Sequence, residues 1–142
     1  MTNDNLQKLK TSYPELFNKA HSCYMSVNDG WFNIIDTLCS LLYSDVYQQK
    51  LKIKYLEENG TKNQIYDATV ILNHLIDNLP IISQVKEKFG SLRFYVESAT
   101  DIQYAYIEFA ESLSSRTCEV CGSPGEQTNS GWIKTVCETH SK

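Results

Sequence analysis

Cys118-Glu119-Val120-Cys121-Gly122 sets two thiols at a two-residue spacing, and Cys137-Glu138-Thr139-His140 repeats it with a thiol and an imidazole after fifteen intervening residues. Such spacing lets two ligand atoms of one tight turn face a single ion, and Gly122 can take the left-handed backbone that the turn needs. Three soft thiolates and one imidazole complete a tetrahedron suited to zinc and leave no open position for a catalytic water. The expectation is one structural zinc ion on Cys118, Cys121, Cys137 and His140. Iron is the lesser choice for a thiolate-rich set. Disulfides or free thiols are the alternative for the cysteines, and two matched pairs around a turn-rich segment favour metal. Ser123-Pro124-Gly125 and Asn129-Ser130-Gly131 are turn-formers flanking a strand expected at residues 132–136, so the segment should fold back as a small ribbon.

A second group of candidates lies in IISQVKEKFGSLRFYVE, where β-branched and aromatic residues alternate on both sides of Phe89-Gly90-Ser91-Leu92. This pattern predicts a β-hairpin near residues 81–97. A loop of two residues (Gly90-Ser91) or of four (Lys88 to Ser91) gives the same division of faces. Val85, Phe89, Leu92, Phe94 and Val96 then share one face, and Lys86, Lys88, Arg93 and Tyr95 share the other. The two-residue loop sets Lys88 opposite Arg93, and the four-residue loop sets Lys86 there. Opposed like charges are unfavourable unless solvated or occupied by an anion, so Lys86, Lys88, Arg93 and Tyr95 are candidate positions for an acidic partner. The plainer reading is a solvated face whose lysines discourage aggregation. Glu87 falls among the apolar positions, either paired with Arg116 or at the solvent edge near the turn.

The remaining cysteines and histidines suggest no chemistry. Cys39 lies within a helical stripe as a small apolar residue, and Cys23 sits near a turn with no second ligand beside it. His74 lies in an apolar helix and His21 near a helix end. Nucleophile elbows, phosphate loops and His-Glu-x-x-His arrangements are absent.

These groups need a scaffold. Residues 3–25 open with a polar helix and a second short turn started by Pro14. Asn28 or Asp29 is placed to cap a long helix in which Trp31, Ile34, Ile35, Leu38, Leu41, Leu42 and Val46 form the main core stripe. Gly60 ends that helix, and Tyr66 to Leu79 resume a helical pattern stopped by Pro80. After the hairpin, Ile102, Ala105, Tyr106, Phe109, Ala110 and Leu113 form an amphipathic helix leading into the tail. The fold class expected is α+β: a helical layer on a short antiparallel hairpin over residues 1–116, and a zinc-ribbon-like tail over 117–142 packed on the same domain.

The chain has 142 residues, a hydrophobic fraction of 42% and a net charge of −4, values of a globular domain with no overall attraction to nucleic acid. No apolar run approaches a membrane span, and MTNDNLQKLK lacks the basic and apolar pattern of a secretory signal, so a cytoplasmic protein is expected. Clustered cysteines in such a compartment are thiols or metal ligands rather than disulfides.

Gly30-Trp31, QVKEKFGSLRFYV, and AESLSSRTCEVCGSPG followed by GWIKTVCETH together resemble a widespread family of small proteins of bacteria and their phages. The resemblance covers mainly residues 84–140. It implies the metal set and the hairpin positions already named, a cytoplasmic location in a bacterial host, and an accessory protein, including a counter-defence protein, that binds a host factor or a nucleotide-like signal.

The function expected is therefore a non-enzymatic, zinc-stabilised binding or modulator protein, its partner a host protein or a small anionic ligand. A nucleic-acid-binding zinc ribbon is the alternative, disfavoured by the acidic balance and by having only Lys134 and Lys142 as cations within the ribbon. A metal-dependent hydrolase is third, and would need an open metal position.

Overall fold

The computed structural model describes residues 1–18, 23–129 and 131–142; His21 and Ser130 lie outside the described residues. The fold is α+β. Helix α1 (Asn3–Ser12) starts where the Thr2 side chain accepts the Asn5 N–H, and α2 (Pro14–Asn18) starts on the proline, whose missing donor is harmless at a first position. Their Leu9, Leu16 and Phe17 enter the core.

The opening segment also holds a strand that its hydrophobic pattern does not announce. Strand β1 (Tyr24–Ser26) pairs in parallel with β2 (Ile81–Lys88), so the sheet has three strands in the order β1-β2-β3 rather than a hairpin alone. Three residues are too few for alternation to be visible, and the pairing is made to a strand far along the chain.

A 3-10 turn at Asp29–Trp31 leads into α3 (Phe32–Asn59), about 42 Å long at 1.5 Å per residue. Its buried stripe is Ile34, Ile35, Leu38, Cys39, Leu42, Tyr43 and Val46, as the periodicity predicts, but Leu41 is exposed. Gly60 ends the helix in extended backbone, not in the left-handed region. Helix α4 (Lys62–Asp77) begins with a capping box between Thr61 and Gln64, and packs back along α3 as an antiparallel pair.

The hairpin joins β2 to β3 (Ser91–Glu97) in the register Lys86↔Arg93, Glu87↔Leu92 and Lys88↔Ser91. This is the register that sets Lys86 opposite Arg93. Because Lys88 and Ser91 also pair, the loop is Phe89-Gly90, with φ of 51° and 73°, the double positive φ of the tight turn that matches strand twist. Phe89 therefore leaves the apolar face to which alternation assigned it and is 66% exposed. An irregularity between Ile82 and Gln84 shifts the pairing, placing Val96 opposite Ile82 and Tyr95 opposite Gln84.

Helix α5 (Asp101–Ser114), opened by a Thr100–Gln103 capping box, covers the inner face of the sheet and the free edge of β3. Its buried residues are Ile107, Ala110 and Ser114, while Ile102 and Phe109 are 65% and 70% exposed, so the core-facing side is rotated from the stripe read in the sequence. The helix carries apolar residues on two sides, and the periodicity selected the larger outer one. The inner side is set by polar contacts instead: the Leu92 N–H donates to Ser114 Oγ (2.7 Å) and the Phe94 N–H to Glu111 Oε1 (2.8 Å). These two side chains stand in for a fourth strand. Glu111→Ala is expected to cost about 1–3 kcal/mol by leaving a partly buried N–H unpaired, read as a lower denaturation midpoint with unchanged metal content.

Among the described residues no helix is long and apolar enough to cross a membrane.

Candidate metal centre and hairpin face

The tail begins directly after α5 and is organised by backbone hydrogen bonds. The Gly122 N–H donates to Cys118 O (2.9 Å) and the Cys118 N–H to Ser123 O (2.7 Å), which curls residues 118–122 into a knuckle with both thiols on one side. Gly122 has φ of 77°, the left-handed geometry expected of it. Strands β4 (Glu126–Gln127) and β5 (Thr135–Val136) form the ribbon, shorter than the strand expected over 132–136. A final 3-10 turn at Glu138–His140 returns the imidazole toward Cys137.

The four ligand atoms lie within 4.8 Å of one another, so Cys118, Cys121, Cys137 and His140 are positioned to bind a metal ion. Cys121 Sγ is 3.8 Å from Cys137 Sγ, and His140 Nδ1 is 3.6 Å from Cys118 Sγ and 3.2 Å from Cys137 Sγ. A tetrahedron with zinc–sulfur bonds of about 2.3 Å and a zinc–nitrogen bond near 2.0 Å has edges of about 3.8 Å and 3.5 Å. The geometry and the donor set are both consistent with zinc.

The electrostatics favour thiolate at two of the three sulfurs. Hydrogen bonds from the Ser123 side chain and backbone lower the Cys121 thiol to about 7. Burial works to raise Cys118, yet backbone donors at Cys121, Cys137 and Val120 outweigh it and hold the thiol below its ordinary value. Cys137 is raised, chiefly by desolvation. Cys39 is wholly buried and desolvation pushes its thiol up, and Cys23 is raised for the same reason, so neither is a reactive site. His74 lies outside the metal cluster.

Gly30-Trp31 anchors this knuckle. The Gly30 N–H donates to Glu119 O (2.9 Å), the Trp31 indole N–H donates to Thr117 O (2.8 Å), and Trp31 is fully buried. A Cβ on Gly30 would stand 2.2 Å from Cys118 O and 2.5 Å from Glu119 O. The hairpin turn docks on the other side of the tail: Thr135 Oγ1 donates to Gly90 O, Gln127 Nε2 donates to Phe89 O (3.2 Å), and the Glu119 N–H donates to Thr135 O (2.9 Å). Glu119, not singled out in the sequence, belongs to this seam, and so does Asn28, expected to cap the long helix but making no side-chain capping bond. Asn28 Nδ2 donates to Glu119 Oε1 (3.2 Å), while Glu119 Oε2 is buried without a hydrogen-bond partner. Burial and nearby Glu87 raise the Glu119 carboxyl.

The candidate binding residues share the outer face of the sheet. Register places Tyr24, Gln84 and Tyr95 in one row across the three strands, Ser26, Lys86 and Arg93 in the next, and Lys88 with Ser91 in the last before the turn. The opposed cations avoid one another: Lys86 Nζ lies 5.6 Å from the Tyr95 ring centroid, and Arg93 Nη1 donates to Ser91 Oγ (2.7 Å) and Leu92 O (2.9 Å). Among the described residues the ion pair is Lys50 with Glu15, so no carboxylate neutralises Lys86, Lys88 or Arg93. Of the two places open to Glu87, the turn is the one taken: its Oε1 accepts the Gly90 N–H (2.7 Å).

Comparison of the chain with protein-family models, curated proteins and solved structures finds no match.

Proposed function

We propose that this chain is a non-enzymatic binding or modulator protein, cytoplasmic, in which a structural zinc ion held by Cys118, Cys121, Cys137 and His140 fixes the tail, and the outer sheet face recognises an acidic partner. The observation that carries the reading is the separation of the two groups. Four protein ligands converge on one point and fill a tetrahedron, which argues against a Lewis-acid role, while three cations without carboxylate partners and Tyr95 lie together on a different surface. The metal's part is mechanical: it would clamp the knuckle and ribbon between Gly30-Trp31 and the hairpin turn. The resemblance to proteins of bacteria and phages supports an accessory role acting on a host factor, including counter-defence.

Recognition would begin with electrostatic attraction to Lys86, Lys88 and Arg93, while Tyr95 adds a flat contact and a hydroxyl. Arg93 is the most selective of the set, because its planar guanidinium makes two directed hydrogen bonds to a carboxylate or phosphate. With the partner recovered from the native host and identified by mass spectrometry, Arg93→Ala should weaken binding more than Lys88→Ala. The loss is on the order of 2–5 kcal/mol for a buried charge-assisted contact and much smaller at a wet rim. Both variants should keep their metal and their melting temperature. Unchanged binding by Arg93→Ala and by Lys86→Ala/Lys88→Ala together would move recognition off this face.

A further inference from the structure

At the hairpin tip, two large aromatic side chains stand in solvent. Phe89 is 66% exposed and Trp132 is 76% exposed, and both line one cleft of about 380 Å3 with Glu87, Lys88, Gly131 and Ile133. Neither ring belongs to the core. Phe89 is also locally unfavourable, since its φ of 51° lies in a region that bulky residues avoid, and the first position of such a turn prefers asparagine. Within the chain the ring's cation contact is with its neighbour Lys88, whose Nζ lies 5.5 Å from the ring centroid, a surface contact worth too little to account for an aromatic residue in this turn. A strained, exposed residue held against its own preference points to use by a ligand.

The surroundings say which ligand. Lys88 lines the cleft and also belongs to the outer sheet face. From the tip along the sheet, aromatic rings and cations follow one another: Trp132 and Phe89, then Lys88, then Lys86 and Arg93, then Tyr95 and Tyr24, which are 42% and 60% exposed. Flat rings interleaved with cations match unpaired bases joined by phosphates. An acidic protein would satisfy the cations but leave the aromatic cleft unused. A duplex offers phosphates but no free base face. The carboxylate in the cleft, Glu87, is engaged by the Gly90 N–H.

We propose that the Phe89–Trp132 cleft stacks a base of a single-stranded nucleic acid, whose phosphates lie on Lys88, Lys86 and Arg93. This rests on the reading of the outer sheet face as an anion site and names its ligand. The net charge of −4 opposes such binding at long range, so attraction is confined to the face. Three phosphate contacts give a decline of log K with log salt of slope about −2.

The test uses mixed-sequence single strands of about 12 nucleotides, DNA and RNA, within the site sizes usual for such platforms. Trp31 is fully buried, so quenching of tryptophan emission reports Trp132. The parent protein should show quenching and the stated salt slope. Trp132→Ala and Phe89→Asn should each weaken binding by about 5- to 160-fold, the range for losing one stacked base. Phe89→Asn suits the turn and should melt no lower than the parent, which separates loss of stacking from loss of fold. An abasic strand of equal length that binds as well as the parent strand, or a single nucleotide that binds as tightly as the oligomer, overturns the inference. If polyglutamate binds through Lys86, Lys88 and Arg93 and no strand does, the stacking inference falls and the anion-site reading stands. If no polyanion binds, both fall.

Discussion

Replacing Cys121 by Ser is expected to abolish stoichiometric metal binding and to free the tail from the domain, with a drop in melting temperature of about 10 °C or more. Structural zinc contributes on the order of 10 kcal/mol to folding in small metal modules, and each kcal/mol shifts a domain of this size by several degrees. The loss should exceed that of an isolated ligand pair, because the knuckle holds Gly30-Trp31 on one side and, through Thr135, the hairpin turn on the other. Elemental analysis and thermal melts of untagged protein read both effects. Cys39→Ser serves as the control, since that thiol is buried in the main core, and should leave metal content unchanged. A strong chelator should reproduce the Cys121→Ser melt in the parent. Ligation requires thiolate, so acid competes with the metal: stability contributed by Cys121, lowered to about 7, is present above its unfolded value and is lost as pH falls through the folded one. A reduced, metal-free chain that melts like the parent would remove the basis of the clamp.

Gly30→Ala is expected to be nearly as damaging, although it touches no ligand. The new Cβ would meet backbone atoms of Cys118 and Glu119 at 2.2–2.5 Å, and backbone cannot rotate aside as a side-chain tip can. The knuckle must back away, breaking the Gly30–Glu119 hydrogen bond and lengthening that from Trp31 to Thr117. We expect a loss at or above the upper end of the ~1–3 kcal/mol usual for overpacking, together with weaker metal retention against a chelator. Gly131→Ala supplies the comparison: its φ of 72° carries strain, but nothing lies within 4 Å, so about 1 kcal/mol is expected. Equal melts for the two variants would mean that the knuckle is not seated on Gly30.

What the sequence makes legible follows from how local each feature is. The metal ligands come in pairs two residues apart, so a single turn determines each pair, and all four meet. Face assignment in the hairpin needs only alternation, and Lys86, Lys88, Arg93 and Tyr95 do share a side. The exact loop was not accessible, because it turns on whether Lys88 and Ser91 pair, and that depends on Thr135 and Gln127 gripping the turn from the tail. Helix α5 was legible as a helix but not in its orientation, since Ser114 and Glu111 choose the inner side by bonding strand amides that periodicity ignores. Strand β1 and the meeting of Phe89 with Trp132 are tertiary facts with no short-range trace. Gly30-Trp31 was visible as a motif, and only the packed knuckle explains why a side chain is not tolerated there.

The parallel pairing of β1 with β2 also bears on how quickly the molecule assembles. Tyr24 meets Gln84, and Trp31 reaches Thr117 across 86 positions, whereas α3 and α4 contact each other through one short connection. Closing long chain segments is entropically slow, so the α3–α4 pair and the β2–β3 hairpin should form early, and β1 with its following turn should remain unprotected until the tail arrives. Metal capture is then expected as the closing step of folding, seating the Asp29–Trp31 turn against the knuckle through the Gly30–Glu119 and Trp31–Thr117 hydrogen bonds.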